Sequence, residues 1–279
     1  MSKSVSLLTA IFGPLAIAFL CACAISAQVQ AASLKNSNIL SVLNDFELPP
    51  PMPLSAKAII AAFLKSEAET RDALNQHTFK RDVVLQTIGP NGAVTGEYIR
   101  NSQFLFDDRG NRIERVIYHP SSTIRELRVT KEDIQDLAGA QLLGVDIAET
   151  GKYRLNYLGT ELVDSRTAFV IDVASSTTPD PQNMKARFFV GRVWVDTNTF
   201  RVIKVKGIVE PQGKQRFPIF ETWRGAVTDA LVFPNLTTAD QILRFPNRDV
   251  HYRINVKYYN YKRFASKVTV TEIDPSASE

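Results

Sequence analysis

The sequence predicts a mainly β (α+β) fold: a large antiparallel sheet that curls, with helices laid against its concave, apolar face. Three observations lead there. First, from Tyr153 onward nearly every segment alternates apolar and polar residues and is separated from the next by a short turn signal. Second, no helical pattern recurs between those strands, which argues for antiparallel pairing and against a parallel α/β sheet. Third, two stretches do carry apolar residues at helical spacing, one early and one mid-chain. A sheet of roughly ten or eleven strands accumulates enough twist to curl.

Near the N-terminus Lys3 is followed by an uncharged apolar run, Val5 to Ala27, ending in small residues. That is the pattern of a secretory signal, cleaved after Ala27 or Ala31. A retained anchor is the alternative, since the run approaches the ~20 residues of a membrane span. "LCAC" (Leu20 to Cys23) adds a second alternative, a lipoprotein signal lipidated at Cys23, although a cysteine before Ala22 is atypical. Residues 28–54 read as a linker, with four prolines between Pro49 and Pro53. Residues 55–274 read as one domain and 275–279 as a disordered tail.

Within the domain a helix starts at Ser55, a good N-cap. Its stripe is Ala56, Ile59, Ile60, Phe63 and Leu64, and it fades near Asn75 to His77. Three strands in a meander follow, with turns at Gly89-Pro90-Asn91-Gly92 and Asp108-Arg109-Gly110-Asn111. A second helix is expected from Thr130, with Ile134, Leu137, Ala138 and Leu142 as its stripe and Gly144 as its stop. The remaining strands turn at Asp164-Ser165, Thr228-Asp229 and Pro246-Asn247, and "KVTVTEID" forms the last.

One hairpin is apolar on both sides: "ARFFVGRVWVDTNTFRVIKVKGIVEP", Ala186 to Pro211. Successive strand residues face opposite ways, and a slip of one residue exchanges the faces. The register that keeps like with like sets Val193 beside Ile203 and Arg192 beside Lys204. It turns Phe189, Val193, Val195, Ile203 and Val205 inward. Arg192, Lys204 and Lys206 then face water, with Trp194 among their stems. Few helices over many strands leave room for an apolar cavity, whose lining would be Ile59, Phe63, Ile134, Leu137 and the five inward hairpin residues. The alternative is that side chains fill the space completely.

Net charge is +4, a mild excess spread along the chain. Bases alternate with aromatics in "KYYNYKRF" (Lys257 to Phe264), a pattern that can bind single-stranded nucleic acid. A charged edge strand is the preferred reading, and no nucleic-acid partner is expected. Cys21 and Cys23 are the only cysteines, so a chain cut after Ala27 has no thiol for disulfides, catalysis or metal binding. His77, His119 and His251 are isolated and lack metal-ligand spacing. No nucleophile elbow or phosphate-binding glycine loop occurs. Neither an enzyme, a cofactor nor a bound metal is expected.

"YRLNYLGTELVDSRTAFVIDV", "RFFVGRVWVDTNTFRVIKVKG", "FPIFETWR" and "LVFPNLTTAD" resemble segments of the bacterial outer-membrane lipoprotein-sorting (LolA-like) proteins. The resemblance spans about Ser55 to Phe264, and "GRVWVDTNTFRVIKVKG" carries most of it. It implies an incomplete β-barrel with helices as a lid over an apolar cavity. It also implies a periplasmic, monomeric protein that binds the acyl chains of lipids or lipoproteins, as a sorting carrier does. A second implied function is an envelope-stress sensor or interaction protein of the same fold that regulates an inner- or outer-membrane protein. In the sorting carriers a strand arginine holds the lid closed, and no single arginine of this sequence can be given that role.

Overall fold

Helix α1 (Ala56–Leu74) forms where the apolar stripe predicts it. Ser55 is in extended conformation, and its hydroxyl accepts a hydrogen bond from the Ala58 amide at 3.2 Å. That satisfies one of the amide groups a helix N-terminus leaves without a partner. The buried face is Ile59, Phe63, Glu67, Thr70 and Leu74, a single line at helical spacing. The computed structural model describes residues 54–126, 129, 151–180, 188–211 and 218–264. The expected second helix, the strand "KVTVTEID" and the segments 1–27, 28–53 and 275–279 lie outside the described residues.

Ten strands follow α1: β1 (His77–Ile88), β2 (Val94–Phe106), β3 (Arg112–Tyr118), β4 (Tyr153–Val163), β5 (Arg166–Ser175), β6 (Phe188–Asp196), β7 (Val202–Glu210), β8 (Phe220–Thr228), β9 (Leu231–Phe245) and β10 (Arg248–Arg263). They form one sheet in the order β3-β2-β1-β10-β9-β8-β7-β6-β5-β4, with every described pairing antiparallel. The chain fills one wing (β1 to β3), crosses to the far edge at β4, and steps back strand by strand until β10 closes against β1. Short reversals make this possible. Asp164 and Ser165, the two-residue link between β4 and β5, both take positive φ (49° and 63°), the twist a tight hairpin needs.

The sheet does not close, since β3 and β4 are its two ends. It does curl. The backbone of α1 comes nearest to β9 and β4. Those strands are five positions apart, about 24 Å across a flat sheet at 4.8 Å per strand. Laid across a flat sheet, α1 would pass as near to β5–β8 as to β9 and β4. Close approach to both, with the strands between standing further off, is the geometry of a sheet bent around the helix. The result is a mainly β, curved, open antiparallel sheet with a helix in its concavity, as the sequence predicts.

Two expectations are corrected. "KYYNYKRF" does not form an edge strand of its own: it is the C-terminal end of β10, a strand inside the sheet that pairs with β1 along its length and with β9 as far as Lys257, so beyond Lys257 the segment is paired on the β1 side alone. Tyr258 and Tyr261 both pack into the core although they are three residues apart, because the ladder slips between them, where Asn260 takes φ 59°, and Tyr259 is left exposed. The register of the β6–β7 hairpin also differs. Val193 pairs with Val205, Trp194 with Lys204 and Arg192 with Lys206, and an irregularity between Trp194 and Val195 brings Val202 opposite Val195. The turn is longer than like-with-like pairing allows. Asp196 accepts backbone bonds from Asn198 and Thr199, and Phe200 takes φ 55°. The bulge exchanges the faces at the start of β7, so Val202 takes the inward place that the sequence gives to Ile203.

Gly191 and Gly207 lie opposite each other on these strands. A Cβ on Gly207 would fall 2.6 Å from two ring carbons of Phe189, so the ring occupies the space that two side chains would take.

Candidate functional site

The concave face is built from alternate residues of the sheet. On β5 to β7 these are Ile171, Val173, Phe189, Val193, Val195, Val202 and Val205, all in one buried cluster that also contains Ile59 and Phe63 of α1. The cluster continues onto β1, β9 and β10 through Val83, Leu85, Ala239, Ile254 and Val256. Phe63 is 0 % exposed. The helix therefore inserts its N-terminal half into the apolar half of the concavity.

Of the residues singled out from the sequence, Ile59, Phe63, Phe189, Val193, Val195 and Val205 come together here. Ile203 does not. It is buried on the opposite, convex face with Val163, Ala168, Val170 and Trp194. Ile134, Leu137 and Cys23 lie outside the described residues. The convex cluster also accounts for the second apolar side of the hairpin. Trp194 covers it, with its indole N–H donating to Glu161 at 2.8 Å. Lys204 Nζ stands 4.5 Å from the Trp194 ring and 5.0 Å from that of Trp223, a cation between two aromatic faces.

The C-terminal half of α1 is held by polar contacts. Glu67 lies on the same buried line as Phe63, 4 % exposed, and accepts two bonds from Arg224 of β8, at 3.0 and 2.8 Å. Arg224 is 6 % exposed and its Nε has no partner among the described residues. Burial pushes the Glu67 carboxyl up from its ordinary value, against the opposing charge and hydrogen bonds of Arg224. Two further contacts fix the end of the helix. Arg112 of β3 donates to the carbonyls of Leu74 and His77, and the His77 ring bonds the Ala73 carbonyl through Nδ1 at 2.6 Å. Among the described residues the helix is thus anchored at its C-terminus, pinned midway by a bidentate ion pair, and held at its N-terminal half by apolar packing.

Sequence reasoning missed Glu67 and Arg224, although each carries a signal. Glu67 is a charge on an apolar stripe, and Arg224 continues the inward alternation of Phe220 and Thr222. Neither signal says that the two residues meet.

Among the described residues the histidines serve separate local roles. His77 caps the helix, His119 bonds the Ile99 carbonyl at 2.7 Å, and His251 pairs with Asp240 on the convex surface. Among the same residues no group of three His, Cys, Asp or Glu is placed to hold a metal, and no helix is long and apolar enough to cross a membrane.

Fold and site together define a class: among the described residues, an open, curved β-sheet whose apolar concavity holds an amphipathic helix on a polar anchor. No family model matches the sequence, and no curated protein matches it. Among solved structures the chain is similar to a LolA superfamily protein from Nitrosomonas europaea (14 % identity, TM-score 0.36, covering 77 % of this chain and 96 % of that one). It is also similar to a putative outer-membrane lipoprotein-sorting protein domain from Vibrio parahaemolyticus (11 % identity, TM-score 0.35, covering 76 % and 94 %). A third is the lipoprotein LppX of Mycobacterium tuberculosis (10 % identity, TM-score 0.29, covering 76 % and 99 %).

Proposed function

We propose that this protein is exported to the periplasm and there binds an acyl chain of a lipid or lipoprotein on its concave face, with helix α1 as a displaceable cover. The observation that carries this reading is the division of the helix's attachments. Among the described residues its N-terminal half meets the sheet through apolar side chains, while its C-terminus is tied by Arg112 and His77 and its middle by Glu67–Arg224. A buried ion pair is a weak source of net stability, but it re-forms in one geometry. With the pair intact, the turns of α1 ahead of Glu67 can lift and return to the same seat.

The magnitudes allow the exchange. Uncovering Ile59 and Phe63 costs about 3–6 kcal/mol. An acyl chain that buries about ten methylenes gains about 8 kcal/mol. The ligand takes the place of the helix side chains against Phe189, Val193, Val195 and Val205, and the expected lining residues Ile134 and Leu137 belong to the same proposal.

Titration with a fluorescent fatty-acid probe tests it. Val193→Glu places a charge on the concave face with neither partner nor water and should abolish binding. Lys204→Glu changes the convex face, between the two indoles, and should leave binding nearly intact. Equal loss in both variants would mean that the fold had been disturbed. Absence of binding in the wild-type protein would overturn the proposal and favour the interaction-protein reading.

A further inference from the structure

The concave face has a second half whose chemistry the helix does not explain. On the wing β1–β2–β3, Arg81, Arg100 and Arg112 all face inward, and one carboxylate, Glu114, lies among them. Glu114 accepts from Arg81 Nη2 at 3.0 Å, from Arg100 Nε and Nη2 at 3.0 Å each, and from the Ser102 hydroxyl at 2.6 Å. Arg112 reaches no carboxylate among the described residues. Its guanidinium lies over the rings of Phe79 and Phe106, at 5.5 and 5.4 Å, and donates to backbone carbonyls only. Among the described residues three guanidinium groups therefore share one anion.

Charge left unbalanced and withdrawn from water is costly. Arg81 is 2 % exposed, and the Nε atoms of both Arg81 and Arg112 are buried with no hydrogen-bond partner among the described residues. The wing is not sealed. The side chains of Arg100 and Glu114 keep 21 % and 26 % of their exposure, and Val116, opposite Ser102 on the same face, is exposed. The arginines are also pre-set: Arg81 lies 4.7 Å over the Phe104 ring, and Arg100 is gripped at two nitrogens. Planar donors fixed in this way match a phosphate group better than a point charge does.

We infer that this wing binds a phosphate group and that, on the acyl-chain reading above, the phosphate is that of an anionic phospholipid whose tail lies in the β5–β7 half of the concavity. Glu114 is then a built-in competitor. It holds Arg81 and Arg100 in place when no ligand is present and shares them when one arrives.

The experiment compares two probes with the same labelled acyl chains, a phosphatidylglycerol and a diacylglycerol, on wild-type protein and on Glu114→Gln, Arg100→Gln and Arg100→Lys. Urea denaturation of each variant checks folding. The phospholipid should bind about tenfold more tightly, the order of one or two charge-assisted hydrogen bonds. That advantage should grow in Glu114→Gln, disappear in Arg100→Gln and be partly restored in Arg100→Lys. It should also fall with added salt. A purely structural Glu114 would give the opposite sign, with weaker binding in Glu114→Gln. Equal affinity for both probes in wild type and Glu114→Gln overturns the phosphate inference and leaves the acyl-chain reading standing. If neither probe binds, the acyl-chain reading fails, and inorganic phosphate titrated alone into Glu114→Gln decides the rest. Binding that Arg100→Gln removes sustains the site as one for free phosphate, and no binding ends it.

Discussion

Glu67→Ala is the sharpest perturbation of the cover. In the native protein Arg224 spends two donors on Glu67, at 3.0 and 2.8 Å, and its Nε already has no partner among the described residues. Truncation leaves a guanidinium that is 6 % exposed with no anion. Removing one partner of a buried pair costs about 3–5 kcal/mol, a large part of the roughly 5–15 kcal/mol that holds a domain together. Replacing both partners with apolar residues of similar size, Glu67→Leu with Arg224→Met, should cost nothing measurable or add about 1–4 kcal/mol. Urea unfolding followed by the fluorescence of Trp194 and Trp223 reads both. With a slope of about 2–3 kcal/mol per molar, Glu67→Ala should lower the midpoint by about 1–2 M, and the double variant should not. A loss below about 0.3 M in Glu67→Ala would mean that the pair is not buried in solution and that the helix is not seated as described.

Three further outcomes follow from the same geometry. Phe63→Ala removes a ring that is 0 % exposed and should cost about 3–5 kcal/mol by chemical denaturation; an unchanged midpoint would mean that α1 does not dock there. Gly207→Ala drives a methyl group against the Phe189 ring at 2.6 Å and the Val190 carbonyl, and should lower the thermal midpoint, whereas a neutral result would show that the ring is free to move. Burial pushes the Glu114 carboxyl up, but the hydrogen bonds of Arg100 and Ser102 and the charges of Arg81 and Arg100 bring it from 4.5 down to about 2. A depressed carboxylate contributes stability above its unfolded value and loses it as pH falls, here between about 4.5 and 2. Allowing for solvent contact, the loss should be about 1–2 kcal/mol, and Glu114→Gln should remove that part of the pH dependence.

Much of this architecture is local and could be read along the chain. Ser55 announces the helix start, and the turn residues Gly92, Gly110, Asp164 and Ser165 sit where the strands reverse. What could not be read depends on distant partners. The insertion of β10 between β1 and β9 is a choice among pairings, and the sequence of "KYYNYKRF" is compatible with an edge or a centre. The bulge between Trp194 and Val195 exchanges Ile203 for Val202 because two valine-rich registers differ little in apolar burial, and the turn around Asp196 decides between them. Glu67 and Arg224 are 157 residues apart, and each alone resembles an ordinary surface charge. Arg81, Arg100 and Arg112 converge only because three successive strands align in register.

The central claim, that the concave face holds an acyl chain, is tested most directly by native mass spectrometry of the processed protein purified from its own cells. The account predicts a population carrying one bound lipid, released when Val193→Glu is introduced. A wild-type protein that is uniformly free of lipid and copurifies with another protein in defined stoichiometry would contradict it.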